Sequence, residues 1–187
     1  MPHIAVNEHL PGIRALLNFS PETAEPIGLL TNLLLRTSSD TLSMADRELI
    51  AAHVSYLNDC FYCHNSHGEI AVCYLDGNRE LVNKVKTDYE NAPVADRLKA
   101  LMAIASSVQK GGKHVTTEQV EHAKALGATD KDIHDTVLIA AAFCMFNRYV
   151  DGLAANTPTD LSTYPPRAIQ VAEHGYGNHI FSKKQPV

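Results

Sequence analysis

Apolar residues in this chain recur at the spacing of an α-helix, and this periodicity limits the possible folds more than any other feature. The clearest case is the segment 94–110, where one helical face is apolar: Val94, Leu98, Leu101, Ile104, Ala105 and Val108. No segment shows the sustained alternation of apolar and polar residues that is typical of a half-buried β-strand. The sequence therefore predicts an all-α fold.

Capping signals divide the chain into predicted helices. Ser43 is a candidate N-cap for a helix that ends at about Asn58. Asn58-Asp59 offers a second N-cap, which would place Cys60 and Cys63 in the first turn of the next helix. The predicted helices span 25–38, 44–58, 59–75, 79–90, 94–110, 117–126 and 131–155.

The two ends of the chain are richer in proline and glycine, which interrupt regular structure. They predict an irregular N-terminal segment over 1–24, apart from a short helix that opens at Pro21, and an irregular C-terminal tail over about 157–187. The length of 187 residues suits a single all-helical domain over 1–187.

Composition excludes several classes of partner. A net charge of −5, with the basic residues scattered, gives no electrostatic basis for binding nucleic acid or an anionic membrane. No stretch reaches the roughly 20 apolar residues of a membrane-spanning helix. The first residues, Met1 to Glu8, lack the basic and apolar regions of a signal peptide. We therefore expect a soluble, cytoplasmic protein.

A closely spaced thiol pair is the strongest functional signal. Cys60 and Cys63 lie within one turn of each other, and His67 follows Cys63 by one helical turn on the same face. In a reducing compartment such a pair is catalytic or metal-binding more often than structural. A neighbouring imidazole and a helix N-terminus both favour the reactive thiolate. This pattern predicts reversible disulfide chemistry.

Glu48 completes the predicted constellation. If 44–58 and 59–75 form an antiparallel pair that turns near residue 59, Glu48 and His67 lie at similar heights. The carboxylate would then orient the imidazole of His67, which would take the proton of Cys63. Cys63 would attack an oxidant, and Cys60 would resolve the sulfenic acid to a disulfide. The order of attack by the two cysteines stays open.

Two other interpretations use the same cluster. Cys60, Cys63 and His67 are three zinc ligands, to which Glu48, His64 or His53 would add a fourth; no second Cys/His cluster exists to complete a structural site. The disulfide could instead serve a redox-sensing or interaction protein without useful turnover. Outside the cluster, Cys73 and Cys144 are expected to be small core residues, and Tyr62 and Tyr56 to pack.

A weak internal repeat is also present. Aligning Cys60 with Cys144 places four further pairs opposite each other: Glu48 and Asp132, Cys63 and Asn147, His67 and Asp151, and Gly68 and Gly152. Two duplicated helical hairpins, one of which carries the chemistry, would explain these matches.

The stretch from Arg47 to Gly68 resembles the alkylhydroperoxidase D (AhpD)-like group of the carboxymuconolactone decarboxylase superfamily. That group carries the motif E-x11-C-x2-C-x3-H, which this chain matches without a gap through Glu48, Cys60, Cys63 and His67. The segment 146–153, with the sequence Phe-Asn-Arg-Tyr-Val-Asp-Gly-Leu, and the opening residues Gly12-Ile13 and Pro21-Glu22 resemble the peroxidase-related branch. The resemblance covers roughly residues 10–160.

This resemblance implies an AhpD-like helical bundle, homo-oligomers such as trimers or hexamers, and thiol-dependent reduction of hydroperoxides. Electrons in the best-known members come from a dithiol of the lipoyl type, and the leading hypothesis is a peroxidase or disulfide reductase without a cofactor. Helices that are apolar on more than one face, such as 132–146, also predict assembly. Lactone decarboxylation is not expected, because superfamily members with that activity lack the cysteine pair.

One position departs from the family pattern. Those members carry a histidine immediately before the second cysteine, where this chain has Tyr62. A tyrosine does not act as a base near neutral pH, so the proton relay lacks one part unless His64 or His53 replaces it.

Overall fold

The computed structural model describes residues 1–176, which contain nine α-helices and no β-strand. The helices are α1 (Ile13–Phe19), α2 (Pro21–Leu35), α3 (Met44–Leu57), α4 (Phe61–Tyr74), α5 (Arg79–Asp88), α6 (Asp96–Lys110), α7 (Thr117–Ala125), α8 (Asp130–Gly152) and α9 (Pro165–His174). Short 3₁₀ turns lie at Tyr89–Asn91, Gly112–His114 and Leu161–Thr163. The prediction of an all-α fold is confirmed.

Three helices begin with a capping box, in which a hydroxyl and the side chain three residues later satisfy each other's backbone N–H groups. These starts are Ser43 with Asp46 for α3, Thr116 with Gln119 for α7, and Thr129 with Asp132 for α8. The capping residues explain why these starts lie within two residues of those that the sequence predicts.

The connection between α3 and α4 differs from the prediction. Asp59 adopts a positive φ of 58°, and the N–H groups of Asp59 and Cys60 bond back to Tyr56 and Ser55, at 3.0 Å each. This is a Schellman ending for α3, with Asp59 in the position that glycine usually takes. Cys60 is consequently the N-cap of α4 and not a residue of its first turn.

The main core lies where α3, α6 and α8 meet, with α2, α4 and α5 packed around them. Its fully buried side chains include Ile50, Leu101, Ile104, Ile139 and Phe143. Each contributes roughly 1.5–3 kcal/mol through removal of apolar surface from water.

Arg47 fixes α3 within this core. Its side chain is buried (1% exposed) and donates to the Asp135 carboxylate on α8 at 2.8 Å and to the Leu34 carbonyl on α2 at 2.9 Å. A buried pair of this kind costs about 3–5 kcal/mol to break by removing one partner. Because Arg47 precedes Glu48, this anchor also sets where Glu48 lies against α4.

The predicted irregular ends contain helices. α1 and the start of α2 lie in the segment 1–24, the rest of α2 corresponds to the predicted helix 25–38, and α9 lies in the predicted tail. Pro21 and Pro165 each occupy the first position of their helix, where the missing N–H costs nothing. Pro21 thus starts a helix as predicted, whereas Pro165 starts a helix where an irregular tail is predicted. The part of the tail from 177 to 187 lies outside the described residues.

The proposed duplication does not correspond to a second hairpin. α3 and α4 form a hairpin, but the segment aligned with it is the single uninterrupted helix α8. Within residues 1–176, no helix combines the length and apolarity needed to cross a membrane.

Candidate active site

A hydrogen bond between α3 and α4 joins two of the predicted site residues. Glu48 is fully buried (0% exposed), and its Oε2 lies 2.8 Å from Nδ1 of His67. An ionised carboxylate only accepts, so Nδ1 carries the shared proton and donates it. This tautomer leaves Nε2 as the nitrogen of the neutral imidazole that can take up a proton.

Tyr176 is a third member of this group and is not among the predicted site residues. Its hydroxyl donates to Oε1 of Glu48 at 2.6 Å and lies 3.2 Å from Nδ1 of His67. Burial, followed by the Glu48 carboxylate, raises the pKa of Tyr176 well above its ordinary value, so its hydroxyl remains a donor. Both oxygens of the Glu48 carboxylate therefore have a donor.

Gly175 and Asn32 fix Tyr176 in place. Gly175 follows α9 with φ of +83°, and a Cβ there would lie 2.8 Å from Oδ1 of Asn32. That same Oδ1 accepts from the Tyr176 N–H at 2.8 Å, and the Asn32 amide donates to the Tyr176 carbonyl. The glycine is a sequence signal for a turn, but it does not indicate that the turn brings Tyr176 to Glu48.

The two cysteines have different surroundings. Cys63 lines a cavity of about 150 Å³ that His67 and Tyr176 also line. Cys60 is fully buried (0% exposed) beside it, in an apolar cluster that includes Leu16. Of the four cysteines, all in the described part of the chain, Cys63 alone lines the cavity. It is therefore the thiol that a ligand in the cavity can reach.

Asp151 on α8 is a second residue that the predicted site lacks. The neighbouring Cys63 side chain, burial and the charge of Asp151 raise the pKa of the Cys60 thiol. Burial in turn raises the pKa of Asp151. These effects keep Cys60 protonated and make Cys63 the better candidate for the reactive thiolate.

Asn147 holds the turn that carries Cys60. Its buried side chain donates to the Ser55 hydroxyl at 3.0 Å and accepts from the Asn58 amide at 2.8 Å. Both partners belong to the end of α3, just before Cys60. Asn147 thereby ties the hairpin to α8, and it lies in the C-terminal stretch that carries part of the sequence resemblance.

Of the predicted proton relay, the hydrogen bond between Glu48 and His67 is present, but the one between His67 and Cys63 is absent within the described residues. Cys63 and His67 lie one turn apart on α4, yet within the described residues no hydrogen bond joins them. The His67 ring instead packs edge-on against Phe143, with ring centroids 4.5 Å apart. Transfer of a proton between them requires a small shift or one bridging water.

Tyr62 forms a wall of the cavity. It is 7% exposed and packs against Tyr164, with ring centroids 5.9 Å apart. Gly12 allows this packing, because a Cβ at its φ of +55° would lie 2.2 Å from the Tyr62 ring. Burial raises the pKa of Tyr62, which removes it further from any role as a base.

Neither alternative histidine reaches the cavity that holds Cys63. His53 bonds to the Lys86 carbonyl and the Ser106 hydroxyl, both at 2.9 Å. His64 lies 3.4 Å from Nζ of Lys86. Among the described residues neither lines the cavity, so the suggested replacement of the missing family histidine is not supported.

Two further predictions concern the remaining cysteines and metals. Cys73 is exposed, so the prediction of a core residue is wrong: Ala71 and Val72 turn towards the core and Cys73 does not. Cys144 is half-buried against the main core. Within residues 1–176, no group of three His, Cys, Asp or Glu side chains is arranged to hold a metal ion.

Comparison with known proteins identifies the fold. No family model and no curated protein matches the sequence. Among solved structures, an uncharacterized peroxidase-related protein from Silicibacter sp. TM1040 is similar, at 28% identity and a TM-score of 0.72, with 81% of this chain and 78% of that chain covered.

A second similar structure is an alkylhydroperoxidase AhpD core from Ralstonia eutropha JMP134, which is also called an uncharacterized peroxidase-related protein. It has 24% identity and a TM-score of 0.73, with 81% of this chain and 79% of that chain covered. A protein of unknown function from Agrobacterium tumefaciens, whose name suggests an AhpD antioxidant defence protein, has 19% identity and a TM-score of 0.67, with coverages of 86% and 100%.

The chain has the all-helical fold of these AhpD-type structures. Two of these similar structures carry the peroxidase-related name that the sequence resemblance indicates.

Proposed function

We propose that the protein reduces organic hydroperoxides through a redox disulfide between Cys63 and Cys60, with Glu48 and His67 as the proton relay. One observation carries this proposal: a histidine held by a buried carboxylate lines the same cavity as Cys63, one helical turn away. A base oriented by a third group beside a nucleophile is the arrangement that activates thiols.

The proposed reaction has three steps. His67 takes the proton of Cys63 at Nε2, directly or through one water, and the thiolate attacks the peroxide so that the O–O bond breaks. Cys63 becomes a sulfenic acid, and the alkoxide receives the proton back as an alcohol. The Cys60 thiol then attacks the sulfenic sulfur, which forms the disulfide and releases water.

An external dithiol completes the cycle. It reduces the disulfide by thiol–disulfide exchange and is itself oxidised to a cyclic disulfide. A lipoyl-type carrier fits this role, and no bound cofactor is needed.

Exposed apolar side chains on α8, Leu138 and Met145, support the further proposal that the protein forms a homo-oligomer, such as a trimer or hexamer. We place its action in the cytoplasm.

The test begins with reduced protein and one equivalent of tert-butyl hydroperoxide. We expect two of the four thiols to be lost, and the peptide that contains 60–67 to lose two mass units. Cys63→Ser should abolish this loss and steady turnover with dihydrolipoamide. Cys60→Ser should instead stop at a sulfenic acid that a dimedone probe captures. Cys73→Ser, an exposed cysteine on the same helix, is the matched control and should behave as wild type.

Three outcomes would contradict the proposal. Hydroperoxide turnover that survives in Cys63→Ser would rule out Cys63 as the attacking thiol. Stoichiometric zinc in purified protein would favour a metal site. Disulfide formation without turnover, accompanied by a change in oligomer size on light scattering, would favour a redox sensor.

A further inference from the structure

Two arginines open onto the cavity that holds Cys63. Arg14 lies on α1 and Arg167 on α9, and both are half-buried. The rest of the described wall is mainly apolar, with side chains such as Leu17, Ile70 and Phe146. Among residues 1–176 no aspartate or glutamate lines this cavity. Among the described lining residues, Arg14 and Arg167 alone carry a full positive charge, and they line a mainly apolar space beside the Cys63 thiol.

The charges of these arginines lack an anionic partner within residues 1–176. Among the described residues, neither Arg14 nor Arg167 forms an ion pair, and Arg167 donates only to the neutral Gln170 side chain at 3.4 Å. Burial, followed by the nearby charge of Arg14, lowers the pKa of Arg167. Two half-buried like charges are unfavourable until an anion lies between them. Arginine pairs of this kind recognise carboxylates well, because each guanidinium presents several donors.

The cavity combines two kinds of surface that a single ligand would match. Its apolar wall suits an alkyl chain, and its arginine pair suits a carboxylate. We propose that the preferred substrates are alkyl hydroperoxides that also carry a carboxylate, as hydroperoxides of fatty acids do. Arg14 and Arg167 bind the carboxylate while the hydroperoxy group lies at Cys63; this inference rests on the proposed function, whose chemical steps it leaves unchanged.

The test compares three hydroperoxides with dihydrolipoamide, an uncharged dithiol, as the reductant. These are linoleic acid hydroperoxide, its methyl ester and tert-butyl hydroperoxide, all below any micelle-forming concentration. For the wild-type protein we expect kcat/KM for the acid to exceed that for the ester by about tenfold, which corresponds to about 1.4 kcal/mol. The preference should shrink as salt is added, because the contacts are partly exposed.

Substitutions then locate the preference. Arg14→Gln and Arg167→Gln should each reduce the acid-to-ester ratio, and the double variant should bring it close to one. All three should keep kcat/KM for tert-butyl hydroperoxide within about twofold of wild type. Arg148→Gln is the matched control, since Arg148 is exposed on α8 and does not line the cavity; its ratio should remain that of wild type.

Each contrary outcome has a distinct meaning. Turnover of tert-butyl hydroperoxide with equal rates for acid and ester would overturn this inference and leave the proposed function intact. A preference for dihydrolipoate over dihydrolipoamide that the arginine variants abolish, without any acid preference among the peroxides, would assign the pair to the reductant and overturn the inference. Absence of turnover with all three hydroperoxides would overturn the proposed function itself.

Discussion

Helix α4 carries two histidines close to Cys63, and their surroundings differ in almost every respect. His67 lies one turn after Cys63, lines the cavity and donates from Nδ1 to the buried Glu48 carboxylate at 2.8 Å. His64 follows Cys63 directly but lies on another side of the helix. There it contacts Lys86 and packs edge-on against the rings of Tyr56 and Phe61.

The electrostatic difference between these histidines follows from their partners. Burial, and then the charge of Lys86, lower the pKa of His64 to about 4. A histidine in that environment stays neutral near pH 7 and is a weak base. His67 instead donates from Nδ1 to the Glu48 carboxylate, which orients the ring and leaves Nε2 as the nitrogen that can accept a proton. Position around the helix, rather than adjacency in sequence, therefore determines which histidine can serve Cys63.

The largest expected effect separates the two histidines directly. In a single turnover with excess tert-butyl hydroperoxide, His67→Gln should slow disulfide formation by about 100-fold or more, because general-base assistance is lost. His64→Gln should change the rate by less than about twofold. Rapid-quench thiol counting measures both rates, and circular dichroism checks that both variants are folded. Equal losses in the two variants would contradict the assignment of His67 as the base.

A smaller effect is expected at Tyr176, which positions the carboxylate. Tyr176→Phe removes the donor to Oε1 of Glu48, and hydrogen bonds to charged groups contribute about 1.5–3 kcal/mol. Because Glu48 keeps its bond to His67, we expect only about a tenfold fall in kcat, with little change in KM for tert-butyl hydroperoxide.

Tyr74→Phe is the control for this prediction. Tyr74 also packs beside α9, and its hydroxyl accepts from Arg36 at 2.9 Å without a hydrogen bond to Glu48. If Tyr176 acted only by docking the end of α9 onto the bundle, the two phenylalanine variants would lose similar activity. A fall confined to Tyr176→Phe supports its action through the carboxylate.

The hairpin could be predicted from the sequence because local rules govern it. The capping box at Ser43 and the spacing of Glu48, Cys63 and His67 determine two helices and the face that each presents. A turn near residue 59 was sufficient to bring Glu48 to the height of His67, whatever the geometry of that turn. The position of Cys60 was less predictable, because Asp59 takes a left-handed conformation that glycine usually provides.

The remainder of the candidate site depends on contacts between distant parts of the chain. Tyr176 meets Glu48 across 128 positions, and no local pattern encodes such a contact. Asp151 carries no local signal for the site, yet the fold turns it towards Cys60. Arg14 and Arg167 lie in the two segments that proline and glycine predict to be irregular, although α1 and α9 form there.

The smallest expected effect concerns stability and returns to His64. Its pKa of about 4 in the folded protein lies below the ordinary value of 6.5. Between these values the unfolded chain binds more protons, so stability is complete above pH 6.5 and is lost as the pH falls towards 4. Because His64 is only partly buried, we expect its contribution to this loss to be about 1 kcal/mol.

Urea unfolding at pH 4.5 and pH 7 measures this loss. His64→Gln should reduce the difference in unfolding free energy between the two pH values by about 1 kcal/mol, while His122→Gln, an exposed histidine on α7, should leave it unchanged. Lys86→Met should also reduce the difference, because it removes the positive charge beside His64. If His64→Gln left the difference in unfolding free energy between the two pH values unchanged, His64 would take up a proton as freely as an exposed histidine. The contrast between His64 and His67 would then rest only on their positions around the helix.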